Sequence, residues 1–118
     1  MENSIANKSY SLALQAVKLG YKLQSVNKEF ILSRQFIRSS TAIGALTREA
    51  QYAESKPDFI HKMSIALKEA KETEYWLSLL SDSGFLEREE AQKFNALLSE
   101  NLKMLTAIVK SAKSTLKK

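Results

Sequence analysis

The sequence predicts an all-α fold, an antiparallel up-down-up-down four-helix bundle, on three observations. Apolar residues recur at a 3.6-residue period along most of the chain, and only three short stretches break it. Three glycines and one proline in 118 residues are too few turn formers for many short strands. The four periodic segments have similar lengths and are joined by short connections, which places consecutive helices side by side and antiparallel.

The expected helices run at about 4–24, 28–53, 56–82 and 87–115, within one domain spanning 1–118. At the first break, Ser25-Val26-Asn27-Lys28, Asn27 is the expected N-cap of the second helix, with Glu29 in its first turn to suit the helix dipole. At the second, Ser55 is placed to accept from the N–H of Asp58 while the Asp58 carboxylate reaches back, and Pro57 sits in the first turn where a missing N–H costs nothing. At the third, Gly84 supplies a left-handed residue after the third helix, and Glu87, Glu89 and Glu90 populate the start of the fourth.

Projection at 100° per residue gives more apolar face than one bundle uses. The third helix has a core seam of Phe59, Met63, Ala66, Ala70, Thr73, Leu77 and Leu80, yet Ile65, Trp76 and Leu79 lie on its other side, with His61 and Glu72 between them. The first helix carries two stripes about 180° apart: Tyr10, Leu14, Val17 and Tyr21, and Leu12, Ala16, Leu19 and Leu23. A bundle has no central helix to bury on both sides. Either copies of the chain associate, or another protein covers the surplus, although scattered apolar side chains are also ordinary on monomers. Leu12, Leu19, Leu23, Ile65, Trp76 and Leu79 are the residues expected at such an interface.

The second helix presents Leu32, Phe36, Ile43, Leu46 and Ala50 to the core, beside the small-residue run from Ser39 to Ala45. Glycine inside a helix costs about 1 kcal/mol against alanine, so Gly44 implies close helix approach.

With no cysteine and a single histidine, thiol, zinc-thiolate and most imidazole chemistry is excluded, and the Glu-x-x-His pairs of a di-metal bundle are absent. Neither a seryl triad nor a glycine-rich phosphate loop can be assembled. The expectation is a protein that is not an enzyme and uses no cofactor or metal. No apolar run approaches a membrane span, and the N-terminus lacks the build of a signal peptide, so a cytoplasmic location and no membrane partner are expected.

Charge is the more informative signal. The net +5 is modest, but residues 103–118 hold Lys103, Lys110, Lys113, Lys117 and Lys118 with no acid, and the first four share an arc of about 80°. Their stems can cover the rim of the core and their charges suit the helix dipole. In an oligomer every copy repeats the stripe, and a sequence-tolerant grip on RNA or DNA becomes an alternative use. Arg34, Arg38 and Arg48 are the second candidates for that contact, and no aromatic stacking platform is visible.

The stretch Arg38-Ser39-Ser40-Thr41-Ala42-Ile43-Gly44-Ala45-Leu46-Thr47-Arg48-Glu49-Ala50, then Ser55-Lys56-Pro57-Asp58-Phe59-Ile60, then Ile65 to Leu77, resembles the bacterial four-helix bundle proteins that include those encoded by intervening sequences in large-subunit ribosomal RNA genes. The match is specific over about residues 30–86, at Arg38, Ser39, Thr41, Ile43, Gly44, Glu49, Ser55, Asp58, Phe59 and Glu69, with Ala45, Ala66 and Trp76. Ala42, Leu46 and Thr47 depart from it, where Ser, Asn and Ile or Val are usual. The resemblance implies a ring-like homopentamer. Similar proteins act as accessory factors of diversity-generating retroelements, binding a reverse transcriptase and nucleic acid, which adds such a protein to the expected partners. The resulting expectation is a non-enzymatic homo-oligomeric bundle serving as an assembly or nucleic-acid accessory, the rival being a pure protein-interaction scaffold.

Overall fold

A computed structural model describes residues 4–116. It contains four helices, α1 (Ile5–Asn27), α2 (Ile31–Gln51), α3 (Lys56–Asp82) and α4 (Arg88–Leu116), with no strand among the described residues. Each helix packs on its neighbour in sequence and α4 closes back on α1, forming a bundle of 51 × 24 × 21 Å. Cross-helix pairs fix the antiparallel sense of α1 and α2. Ser9 Oγ lies 3.1 Å from Thr47 Oγ1 near one end, and Gln24 Nε2 donates to Ser33 Oγ at 3.0 Å near the other.

The core follows the seams read from the sequence. Phe36 and Ile43 of α2, Leu80 of α3 and Leu98 and Leu105 of α4 are fully enclosed, and the Phe36 and Phe94 rings meet at 4.8 Å across the bundle. Each such side chain contributes about 1.5–3 kcal/mol through removal from water. Leu46 is half-buried against this core, as its place on the apolar face of α2 predicts.

Two of the three expected stops form, with Glu87 just ahead of α4 and not in its first turn, which holds Glu89 and Glu90. Ser55 Oγ accepts from the Asp58 N–H at 3.2 Å, and the Asp58 carboxylate reaches back to the Glu54 N–H at 3.2 Å. Gly84 has φ of +85°, the left-handed conformation that only glycine adopts without strain, and the Phe85 N–H turns back to the Leu80 carbonyl at 3.0 Å.

The α1–α2 corner differs from expectation. Asn27 does not cap α2, because α1 runs three residues further than read and Asn27 is its last residue. Lys28 takes the left-handed position at φ 55°; the N-cap position of α2 is Phe30, which makes no side-chain cap bond, and the capping side chain is that of Glu29, one residue earlier. Its buried carboxylate accepts from the N–H groups of Ile31, Leu32 and Ser33 at 3.1, 2.9 and 2.7 Å, three of the four donors that a helix start leaves unpaired. Glu29→Ala is expected to lower stability by about 1–3 kcal/mol, the range for charge-assisted bonds removed from a buried setting. The readout is a lower urea midpoint at an unchanged slope; an unshifted midpoint would mean that water replaces the carboxylate at no cost.

Gly44 does lie at a close approach, next to Ser9 of α1, but the tighter crossing is at Gly20. A Cβ there would sit 2.3 Å from Ile37 Cγ1, whereas one on Gly44 would lie 3.5 Å from the Ser9 carbonyl oxygen.

Candidate functional site

Four surfaces stand out, one on each helix, each set by how that helix rotates to bury its core seam. On α4, burial of Leu98, Leu105, Val109 and Ala112 turns Lys103, Lys110 and Lys113 to solvent. None of the three is paired with a carboxylate among the described residues. They span ten residues, about 15 Å of helix at ~1.5 Å per residue. Lys117 lies outside the described residues.

The arginines of α2 divide. Arg38 Nη2 is held by Glu72 at 2.6 Å and Glu69 at 3.3 Å on α3, and these carboxylates raise its pKa against the opposing effect of burial. Its charge is already matched by two carboxylates of this chain. Arg48 lies over the Tyr10 ring, 5.8 Å from its centroid, a cation–π distance. Arg34 is exposed and makes no ion pair among the described residues.

On α1 the assignment of the two stripes reverses. Leu12 and Leu23, expected at an interface, are enclosed within the bundle, and Leu19 is half-buried against the core. The opposite stripe faces outward, with Tyr10 56%, Leu14 42% and Tyr21 60% exposed. The physical reason is the close α1–α2 crossing. It requires the small residues Ser9 and Gly20, and these flank the Leu12 stripe. Val26, Phe30 and Ile31 are exposed at the α1–α2 corner, so among the described residues six of the nine exposed large apolar side chains fall on α1 or that corner.

The back of α3 is less open than expected. Ile65, Trp76 and Leu79 are all half-buried, and Trp76 packs against the core while its indole N–H donates to Glu72 at 3.4 Å. Among the described residues no three His, Asp or Glu side chains cluster as metal ligands, and no helix is long and apolar enough to cross a membrane.

A cleft that no sequence pattern announces opens between α1 and α4. Its volume is about 260 Å³, and it is lined by Gln15, Lys18, Leu19 and Lys22 on one side and Glu90, Lys93, Phe94 and Leu97 on the other. Lys22 and Glu90 close one end at 2.6 Å; their hydrogen bond lowers the pKa of the carboxyl and raises that of the amine. No local signal marks the cleft, since its walls come from segments some seventy residues apart in the chain.

Comparison with known proteins bears on what these surfaces serve. The family described as 23S rRNA-intervening sequence protein matches residues 1–107. The chain belongs to this family. No curated protein matches it. Among solved structures, it is similar to a protein of unknown function from the S23 ribosomal protein family of Bacteroides thetaiotaomicron VPI-5482, at 45% identity and a TM-score of 0.89, covering 91% of this chain and 99% of that one.

The residues on which the sequence resemblance rests have structural work in the α2–α3 hairpin. Arg38 and Glu69 form an ion pair across it, and Glu49 pairs with Lys62 at 3.1 Å. Ser39 Oγ accepts from Thr73 Oγ1 at 2.8 Å, and Thr41 Oγ1 donates to the Ile37 carbonyl at 2.8 Å. Ile43 is enclosed, Gly44 faces Ser9, and Phe59 is half-buried beside the Ser55–Asp58 cap. The Thr47 hydroxyl makes the buried contact to Ser9.

Proposed function

We propose that this intervening-sequence protein is a non-enzymatic homo-oligomer that presents the α4 lysines to the phosphate backbone of a nucleic acid, its subunits joining through the outer stripe of α1. The observation that carries the reading is the segregation of the two surfaces. The Tyr10–Leu14–Tyr21 stripe lies on the side of α1 next to α2, where Arg48 reaches Tyr10, while Lys103, Lys110 and Lys113 face solvent on α4. Joining copies through the first surface leaves the second open and repeats its charge around the assembly. A fivefold ring, the arrangement that the resemblance implies, multiplies the +5 of one chain accordingly.

Contacts from lysine to phosphate carry no base readout, so binding is expected to tolerate sequence and to weaken steeply with salt. Lys103→Gln, Lys110→Gln and Lys113→Gln together are expected to weaken RNA or DNA binding uniformly across sequences and to reduce the slope of log K against log salt by about 2–3, at ~0.7–0.9 for each phosphate no longer neutralised. Fluorescence anisotropy at several salt concentrations measures both. Unchanged affinity would remove the α4 face from the proposal. Native mass before and after nuclease treatment reports assembly and bound nucleic acid together, and a nuclease-insensitive complex with another protein would favour the scaffold reading.

A further inference from the structure

The α1–α4 seam is the loosest of the four in the bundle. Hydrogen bonds cross it at two places among the described residues. Near one end Lys8 pairs with Glu100 at 3.0 Å and Asn101 Nδ2 donates to the Lys8 carbonyl at 3.3 Å; at the other Lys22 pairs with Glu90. Between these clamps lies the cleft. Its floor is apolar, made by half-buried Leu19 and Leu97 with the edge of Phe94 beneath, and its rim holds Lys18 and Lys93 from opposite helices.

The charge of the rim is unbalanced. Lys22 is neutralised by Glu90, but Lys18 and Lys93 are exposed and have no carboxylate partner among the described residues. Two uncompensated ammonium groups across an apolar floor match a molecule with one anionic end and a compact apolar body. We infer that this cleft binds a small organic carboxylate, its head between Lys18 and Lys93 and its aliphatic or aromatic body on Leu19, Phe94 and Leu97.

Size limits the ligand. A volume near 260 Å³ suits a compact body such as that of a benzoate or an eight-carbon fatty acid. The apolar side of the site lies away from the outer stripe of α1: at 100° per residue, Gln15, Leu19 and Lys22 lie roughly 120° around the helix from Tyr10, Leu14 and Tyr21, while Lys18 stands about 40–60° from Leu14 and Tyr21, at the border of that stripe.

The test uses the full chain, labelled with ¹⁵N and titrated with octanoate, with octylammonium as the charge-reversed control of the same length. Saturable shifts at the amides of Lys18, Leu19, Lys93 and Leu97 are expected with octanoate, at a Kd of about 1 mM or tighter for a ligand of this size, and at least tenfold weaker with octylammonium. Lys18→Gln with Lys93→Gln is expected to weaken octanoate about tenfold. Both residues are exposed, so the fold survives, and an unchanged melting curve checks that. Equal binding of the two probes, shifts confined to the outer stripe of α1, or no saturation by about 10 mM would each overturn the assignment.

Discussion

Leu12→Asp is expected to unfold the protein, and Leu14→Asp to leave it folded and reduce it to single chains. The two positions are neighbours on one helix and both are leucine, but Leu12 is fully enclosed and Leu14 is 42% exposed. At Leu12 the substitution removes apolar packing worth about 2–5 kcal/mol and buries a carboxylate with no cation facing it, several kcal/mol more. Against a typical domain stability of about 5–15 kcal/mol, that is enough to abolish the fold. At Leu14 the aspartate meets water in the isolated bundle, and only the proposed contact between copies is penalised. Circular dichroism separates folded from unfolded, and light scattering after gel filtration gives the mass. A folded Leu14→Asp protein that stays assembled would move the interface away from the outer stripe of α1.

Gly20→Ala is expected to destabilise the bundle by about 1–2 kcal/mol, and Gly44→Ala to be neutral or stabilising by up to about 1 kcal/mol. Both glycines lie within helices, where alanine gains ~0.8–1 kcal/mol of helix propensity. The difference is the space each finds. A Cβ at residue 20 would overlap Ile37 Cγ1 at 2.3 Å and Cδ1 at 2.4 Å, and the β-branched Ile37 side chain has few other rotamers to adopt. Overpacking of that kind costs about 1–3 kcal/mol, which outweighs the propensity gain. A Cβ at residue 44 meets Ser9 at ordinary contact distance, 3.5 Å. Urea midpoints measure both. Ile37→Ala combined with Gly20→Ala should recover part of the deficit beyond additivity, a coupling that a double-mutant cycle isolates. A Gly20→Ala protein as stable as the parent would mean that the α1–α2 crossing relaxes freely.

The helix ends set by local chemistry were legible in advance. Ser55, Pro57, Asp58 and Gly84 act within a few residues of themselves, so their roles could be read from spacing alone. The α1–α2 corner was not legible in that way. Asn27 and Glu29 both have side-chain acceptors, and which one reaches the start of α2 depends on the left-handed turn at Lys28. Periodicity also gave the angle between the two stripes of α1 without giving its sign. The information was present in the small residues Ser9 and Gly20 beside the Leu12 stripe, which only a close helix neighbour requires. Arg38 lacked any visible partner because Glu69 and Glu72 lie 31 and 34 residues away, and the α1–α4 cleft needed the closed bundle to exist.

The paired polar side chains along α2 have a geometric consequence. Ser9 with Thr47, Gln24 with Ser33 and Thr73 with Ser39 tie α2 to both neighbours at fixed heights, and a slip by one helical turn would break all three pairs and leave each hydroxyl only its bond to a nearby backbone carbonyl. Three helices so pinned keep a fixed relative height. In the proposed ring an error in the angle between copies would accumulate from joint to joint, so the number of subunits would be a property that these few side chains help to hold.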